Sequence, residues 1–496
     1  MVTRRFFIGG AASFLALRPN RIFSASCAAE ACGKPELTLG VVSDIHIGLA
    51  RGGREISKAY ATDTFKASLA RFRDAGVDAV VIAGDITHNG VGPELMEVGR
   101  AWYEIFPDDR APDGRKVERI FVGGNHDNGL WRAKRVFRNE KDIKANLLSL
   151  DYQRWWDEAF HERWQSSFIK EVKGYSFAGF NWVIGDNRGK NEIFNNEIAD
   201  FYARYGKSLD PSRPFFHIQH PHPKGTVHGE RVWCDDTGDS TKALMAHPNA
   251  IAFSGHSHLS ITDERAIWQG EFTSVACGTL RNVSLWLPGV CDLPNGYENG
   301  LTPRTAAPEV ESGKAMALPD KYDCRQEQLV RVYADNVRIT RREAISGIAY
   351  GPDLVMPLPA AERRPFDFKM RSAKAMAPEF PADAVLSVKR KKGNVRGTKA
   401  ERNRKVQVWE FSAPAADAVR NALAVAYEFK AVGDNGFEHT FAVFNPALRH
   451  PAASEKGKCD VFCRIDCSRI KAEHFTVSLR AVSCWGRRSA PLEVKV

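Results

Sequence analysis

Apolar runs of strand length alternate with amphipathic stretches along the first part of the chain. Residues 36–42 (ELTLGVV), 78–83 and 119–122 form such runs. Residues 54–75 carry apolar side chains three to five positions apart, as in a helix that covers a sheet, and a second helical stretch is predicted around 93–106. The order strand, helix, strand, helix, strand predicts a mostly parallel sheet with covering helices.

The same pattern continues towards the middle of the chain. Further strands are predicted within 175–185, 215–219 and 250–254, and residues 328–341 predict a hairpin about Asp335 and Asn336. We therefore predict a first domain of class α/β over residues 36–345, with mixed sheets flanked by helices.

The rest of the chain has a different pattern. Residues 346–383 are rich in Pro and Ala and predict a connector, whereas residues 384–496 contain alternating runs separated by turns. Such runs predict a small all-β sandwich. Its ending, FTVSLRAVSCWGRRSAPLEV, resembles the last two strands of fibronectin type III domains.

An insertion over residues 130–170 is rich in Arg, Lys and aromatic residues. Its rings recur at near-helical spacing, which predicts packing against the body of the domain. The alternative is that one or two of them line a substrate cleft. The rings concerned are Trp155, Trp156, Phe160 and Trp164.

The N-terminus carries paired arginines, Arg4 and Arg5, ahead of a short apolar run. Residues 1–26 thus resemble a twin-arginine export signal, which implies a periplasmic or extracellular location. The run is too short to cross a bilayer, so no transmembrane segment is expected in the mature protein. A lipoprotein anchored through Cys27 is disfavoured, because Ser24 stands where a lipobox carries an aliphatic residue.

The net charge and the spacing of the cysteines indicate which ligands the protein could bind. Of the net charge of +10, residues 381–496 carry +9, from 21 Lys and Arg against 12 Asp and Glu. The run Lys389 to Lys392 could bind nucleic acid, although we favour a solvated loop. None of the ten cysteines forms a CxxC pair, which argues against a structural zinc site.

Acidic, imidazole and amide side chains follow the predicted strands directly. Ligands gather beyond the carboxyl ends of parallel strands, and this mixture of oxygen and nitrogen donors suits Mn, Fe, Zn or Co. The pieces, in chain order, are Asp44-Ile45-His46, Gly84-Asp85, Asn125-His126-Asp127, His220 and His256-Ser257-His258.

These pieces resemble the motifs of the calcineurin-like metallophosphoesterase superfamily. In this chain the motifs read SDIH, GDITHNG, GGNHD, QHPH and GHSH. The resemblance implies a metallophosphoesterase β-sandwich that holds two divalent or trivalent metal ions. It implies one metal on Asp44, His46, Asp85 and His258, and a second on the bridging Asp85 with Asn125, His220 and His256. It also implies that His126, held by Asp127, assists the departing oxygen.

Two positions depart from related patterns. His88 stands where purple acid phosphatases carry a tyrosine, so a purple tyrosinate–iron colour is not expected. His222 lies two residues beyond His220, and we expect His217 and His222 to support the site or to face substrate. We list His88 and His222 as candidate substrate-binding residues.

The resulting hypothesis is an exported phosphoesterase in which a metal-bound hydroxide attacks phosphorus, with phosphodiesters favoured over phosphomonoesters. The alternatives are a nuclease of the same superfamily and a non-catalytic adhesion or scaffold protein that uses the C-terminal sandwich. The sequence leaves the oligomeric state open.

Overall fold

A computed structural model gives the fold. It describes residues 33–58, 61–128, 130–183, 197–229, 232, 236–281, 283, 325–360, 363–394, 405–416, 423–445 and 461–496. The predicted signal peptide over residues 1–26 lies outside these ranges. Residues 34–496 form one compact unit. Within the described part of the chain, no helix is both long enough and apolar enough to span a membrane.

The first sheet has six strands in the order β12-β11-β10-β1-β2-β3. β1, β2 and β3 run parallel, and β10 pairs antiparallel with β1. The strands are β1 (Leu37–Val42), β2 (Ala79–Ala83), β3 (Glu118–Val122), β10 (Gln326–Val332), β11 (Asn336–Glu343) and β12 (Leu354–Pro357). The predicted hairpin is confirmed as β10 and β11, and the sheet gains one more strand, β12, from the segment predicted to be a connector.

The second sheet also has six strands, in the order β4-β5-β6-β7-β9-β8. β5, β6, β7 and β9 are parallel, and the two edge strands are antiparallel to their neighbours. The strands are β4 (Ser167–Val172), β5 (Tyr175–Phe180), β6 (Phe215–Ile218), β7 (Ala250–Ser254), β8 (Ile267–Gln269) and β9 (Thr273–Ala276).

The two sheets pack face to face over a shared apolar core. Alternate residues of β1 and β2, such as Leu39 and Val81, meet Phe177, Phe216 and Phe253 from the second sheet. This is the alternation expected where successive side chains of a strand point to opposite faces.

Helices cover the outer faces. The first sheet carries α1, α2 and α5, and the second carries α6 and α7. The α-helices of the described residues are α1 (Asp63–Asp74), α2 (Gly92–Ile105), α3 (Leu130–Val136), α4 (Glu140–Asn146), α5 (Tyr152–Phe160), α6 (Ile198–Tyr205), α7 (Asp239–Leu244) and α8 (Phe368–Lys374). Trp155 and Phe160 of α5 are buried against α2, which confirms the predicted packing of the insertion.

The C-terminal region is a small sandwich of two antiparallel sheets. One has the order β13-β14-β17 and the other β16-β15-β18-β19. Its core joins both sheets through residues such as Phe411, Phe429 and Val477. The strands are β13 (Ser387–Asn394), β14 (Lys405–Ala413), β15 (Ala424–Gly433), β16 (Glu438–Phe444), β17 (Val461–Asp466), β18 (Phe475–Ser483) and β19 (Leu492–Lys495). The predicted fold class, α/β followed by an all-β sandwich, is confirmed.

Candidate metal centre

The predicted site residues meet at the seam between the two six-stranded sheets. Asp44, Asp85 and Asn125 follow β1, β2 and β3 of the first sheet, and His220 and His256 follow β6 and β7 of the second. Each side chain therefore leaves the carboxyl end of a parallel strand, as predicted. The site exists only where both sheets are in place.

The backbone at this seam is strained. Most non-glycine residues avoid positive φ, although Asp and His tolerate it better than most. Five predicted metal ligands adopt it, and backbone strain of this kind is concentrated at functional sites. Their φ angles are 52° at Asp44, His46 and Asp85, 71° at His256 and 56° at His258.

Four side chains form one group of possible metal ligands. One donor atom from each of Asp44, His46, Asp85 and His258 lies within 4.8 Å of the others. His46 Nε2 lies 3.1 Å from His258 Nε2 and 3.5 Å from Asp85 Oδ2. These are the four residues that the sequence resemblance assigns to the first metal.

The residues expected around a second metal are also in contact. His220 Nε2 lies 3.2 Å from Asp85 Oδ1, and His256 Nδ1 lies 3.0 Å from Asn125 Oδ1. The His220 and His256 rings are 4.9 Å apart between centroids. Asp85 thus contacts both groups, one with each carboxylate oxygen.

Two buried atoms show that these residues fit metal ions. Asp44 Oδ1 and His220 Nε2 make no well-directed hydrogen bond among the described residues, although His258 Nε2 lies 3.0 Å from the first and Asp85 Oδ1 lies 3.2 Å from the second. Buried polar atoms rarely lack such a bond. Because His220 Nδ1 donates to the carbonyl oxygen of Ala83 (2.8 Å), Nε2 of the neutral ring presents its lone pair to Asp85. A cation between such atoms would satisfy them.

The electrostatics of the cluster agree with this. Burial disfavours the charged form of Asp44, but the histidines beside it outweigh burial and hold the pKa of this carboxyl well below its usual range. Burial also lowers the pKa of His220, but the charges of Asp85 and Asp44 outweigh it and raise this pKa to about 9. The site therefore favours a positive charge beside Asp44 and Asp85, which is the charge that a cation would supply.

Residues 37–260 match the family model of calcineurin-like phosphoesterases. The match covers β1 to β7 and includes every residue of the candidate metal centre.

Solved structures with similarity to this chain have low identity. A predicted phosphoesterase from Streptococcus pneumoniae is 12% identical, with 65% of this chain and 97% of that chain covered and a TM-score of 0.25. A purple acid phosphatase from yellow lupin is also 12% identical, with 66% and 55% covered and a TM-score of 0.38. No curated protein matches the chain.

One expectation about the candidate metal centre is wrong. Asp127 does not hold His126, because its carboxylate accepts hydrogen bonds from the main chain of Ile86 (3.2 Å), Thr87 (2.7 Å) and Gly124 (2.6 Å) and from the Thr87 hydroxyl (2.7 Å). The tight turn after Gly124 directs the carboxylate back into the loop. Burial and the nearby charge of Asp85 raise the pKa of Asp127 to about 6. Asp127 therefore ties the Gly-Asp loop to the Asn-His-Asp loop.

His126 is held by a backbone oxygen instead. Its Nδ1 donates to the carbonyl oxygen of His88 over 2.9 Å, and its Nε2 lies 3.9 Å from Asp85 Oδ2. His46, His88 and His126 also form a second group of neighbouring donor atoms. Both His88 and His126 are only partly buried, so their rings border the side of the cluster that solvent reaches.

The other two candidates lie deeper. The ring of His222 is buried between two hydroxyls, Ser254 Oγ and Ser257 Oγ, each at 2.7 Å. His217 is buried and contacts Tyr202 and Gln219. These contacts favour a supporting role over substrate contact for both histidines.

Sequence reasoning missed several residues that support the candidate metal centre. The buried carboxylate of Glu94 accepts from the main chain of Leu49 and of Asn89, both at 2.8 Å, and so joins the first two motif loops. Asn181 accepts from the main chain of Gly123. The pKa of His88 is lowered to about 2. Burial of the ring is the largest cause, followed by repulsion from His46, Arg132 and Arg281. A search for buried polar residues near the motifs could not have found these, because burial depends on the fold.

Proposed function

We propose that the protein is an exported phosphoesterase that uses two metal ions and favours phosphodiesters. The single observation that carries the proposal is the buried seam of carboxylates and imidazoles, in which donor atoms of Asp44, His46, Asp85 and His258 lie within 4.8 Å of one another. Burying so many polar groups together incurs a desolvation cost, which bound cations would offset.

Asp44, His46, Asp85 and His258 would hold one ion, and Asp85, Asn125, His220 and His256 the other. Two ions bound there supply Lewis-acid charge for the phosphoryl oxygens and activate water for in-line attack. Asp85 contributes one carboxylate oxygen to each group, and its position is fixed because Oδ1 accepts from the main chain of His126 (2.8 Å).

His126 is the residue that would move a proton. Since its Nδ1 hydrogen is donated to the His88 carbonyl, only Nε2 remains to meet the substrate or the leaving oxygen. The same hydrogen bond fixes the orientation of the ring, which is what general acid–base catalysis requires. His88 is partly buried beside the cluster, where it would contact the substrate phosphate.

Two finer parts of the proposal rest on the sequence. The motif spacing supports a preference for diesters, and the paired arginines at positions 4 and 5 support export. A nuclease is the second candidate, because Lys389, Arg390 and Lys392 are exposed on β13, at the edge of its sheet. Nucleic-acid hydrolysis with a KM that rises steeply with salt would favour it.

The test compares wild type with Asp85→Asn, each loaded with Mn or Zn, on bis-p-nitrophenyl phosphate and p-nitrophenyl phosphate. We expect metal-dependent hydrolysis that falls by at least about a thousandfold in the variant, because both groups of ligands lose a charge. The ratio of the two rates measures the diester preference.

The exposed carboxylate of Asp113 provides a matched control, and Asp113→Asn should hydrolyse both substrates like wild type. Activity that survives both Asp85→Asn and chelation would refute the mechanism.

A further inference from the structure

The C-terminal sandwich contacts the phosphoesterase domain at one carboxylate, that of Glu264. Glu264 Oε2 accepts from the indole nitrogen of Trp485 (2.9 Å) and from Arg371 Nη2 (3.2 Å), and Oε1 accepts from the main chain of Leu423 (3.4 Å). Glu264 lies six positions after His258, whereas Leu423 and Trp485 flank β15 and β18 of the sandwich. Three separate segments therefore converge on a single acidic group.

Neighbouring side chains shield the Glu264 contact from water. The Arg371 guanidinium lies over the rings of Trp485 (5.4 Å) and Phe366 (5.6 Å), and it also donates to the main-chain oxygen of Glu264. The side chains of Arg371 and Glu264 are only 13% and 11% exposed. A charge-assisted contact that is this well shielded from water is stronger than a surface ion pair.

The two neighbours of Glu264 in the sequence face inward. Asp263 and Arg265 form a buried pair, with Arg265 Nη2 2.7 Å and Nε 3.1 Å from the carboxylate. The main-chain oxygen of Arg265 accepts from the main chain of His228 (2.9 Å), and Asp263 Oδ2 lies 3.9 Å from His228 Nδ1. Segment 263–265 is thus held between the sandwich and the interior.

A short series of contacts continues to the metal site. The His228 ring lies 5.9 Å from the ring of His222, which is bonded to Ser257 Oγ. Ser257 is the residue between His256 and His258, the two ligands expected to bind different metals. Their left-handed backbone is a conformation that persists only where neighbouring structure enforces it.

We propose that the C-terminal sandwich positions the His256–His258 loop, and so tunes metal binding, through the contact between Trp485 and Glu264. Trp485 and Glu264 are positioning residues, since neither touches the metal ligands. The sandwich then has a role in the hydrolase itself rather than only in binding a partner. This inference rests on the proposed metal site.

The experiment titrates Co²⁺ into full-length protein and follows visible absorption and calorimetric affinity, with folding checked by circular dichroism. The variants are Trp485→Phe, which retains an aromatic ring, Glu264→Gln and the double variant. We expect each single change to weaken Co²⁺ binding by about three- to tenfold. This is less than the loss expected on removing a residue that is hydrogen-bonded directly to a metal ligand. The double variant should lose little more than the worse single variant, because the two changes remove one contact.

Trp409→Phe is the matched control, because Trp409 lies in the sandwich on β14 and packs on Phe475, away from Glu264. Unchanged affinity and spectrum in Trp485→Phe would overturn the inference, as would an equal loss in Trp409→Phe. Wild-type protein that binds no Co²⁺ would refute the proposed metal site as well, so the two failures are distinguishable.

Discussion

The paired six-stranded sheets and the C-terminal sandwich are both built of strands around apolar cores, but they differ in where they bury polar side chains. The paired sheets bury carboxylates and imidazoles where their parallel strands end, among them Asp44, Asp85, His220 and His256. The core of the sandwich consists of side chains such as Phe429, Phe441 and Leu479, in antiparallel strands.

Strand direction accounts for much of this difference. Parallel strands bring several carboxyl ends to one edge, so loops from β1, β2, β3, β6 and β7 converge on one place. Antiparallel strands joined in sequence place successive loops at opposite ends, and the described part of the sandwich contains no comparable group of metal-binding side chains. The comparison implies that changes at the seam affect chemistry, whereas changes in the sandwich core affect stability alone.

The largest effect is expected at Gly124. A Cβ there would lie 2.3 Å from Asp85 Oδ1 and 2.5 Å from its main-chain nitrogen, so Gly124→Ala must displace the residue shared by both metal groups. We expect kcat/KM to fall by at least about a hundredfold, as for displacements of about 1 Å in other sites. Steady-state kinetics on a diester would measure it.

The neighbouring glycine is the control for that change. A Cβ at Gly123 meets no heavy atom closer than 3.4 Å, so Gly123→Ala should retain most of the activity. Equal losses in the two variants would show that the loop tolerates no side chain at all, and the steric argument would fail.

An intermediate effect is expected at Asp127. In Asp127→Asn an amide NH₂ replaces one carboxylate oxygen. This NH₂ would face main-chain N–H groups that donate to the carboxylate in the wild type, so two donors would meet. We expect the free energy of unfolding to fall by about 3 kcal/mol and kcat/KM by about tenfold. Denaturant unfolding and kinetics would check both.

Asp210→Asn is the matched control, because Asp210 is exposed and also accepts from a main-chain N–H and a hydroxyl, both of Ser212. Its stability and activity should match wild type. An Asp127→Asn variant with wild-type stability would contradict the assigned role of Asp127 as a tie between loops.

The smallest effect on activity is expected in the sandwich core. Phe441 is buried and stacks on Phe429 at 5.0 Å, so Phe441→Ala should cost about 3–5 kcal/mol of stability. It leaves Trp485 and Glu264 unchanged, and kcat/KM should stay at the wild-type value while the protein is folded. A lower kcat/KM of the folded variant would contradict the inference that changes in the sandwich core affect stability alone.

The sequence predicted the strands that lead into the site and the identity of the clustered residues, because both depend on local pattern. It did not predict β4, β8, β9 or β12. Apolar runs determined β1, β2, β3 and β7, and the polar residues after them identified the seam. The helix expected over residues 54–75 is shorter, since α1 begins only at Asp63.

The interactions that the sequence did not predict are long-range. Asp127 bonds to Thr87 across 40 positions, Glu94 to Leu49 across 45 and Glu264 to Trp485 across 221. Such partners are chosen by packing, which a local pattern does not contain. The left-handed backbone at Asp44 and His256 likewise depends on loops that only the folded sheets bring together.

The position of the metal ligands at a seam has a consequence for the order of folding. Asp44 and His258 are 214 positions apart, and their contact closes a loop that contains β2 and β3 of the first sheet and β4 to β7 of the second. Contacts so distant in sequence carry a large entropic cost and form late. We therefore expect the nascent chain to acquire its ions last, as the step that locks two already formed sheets together.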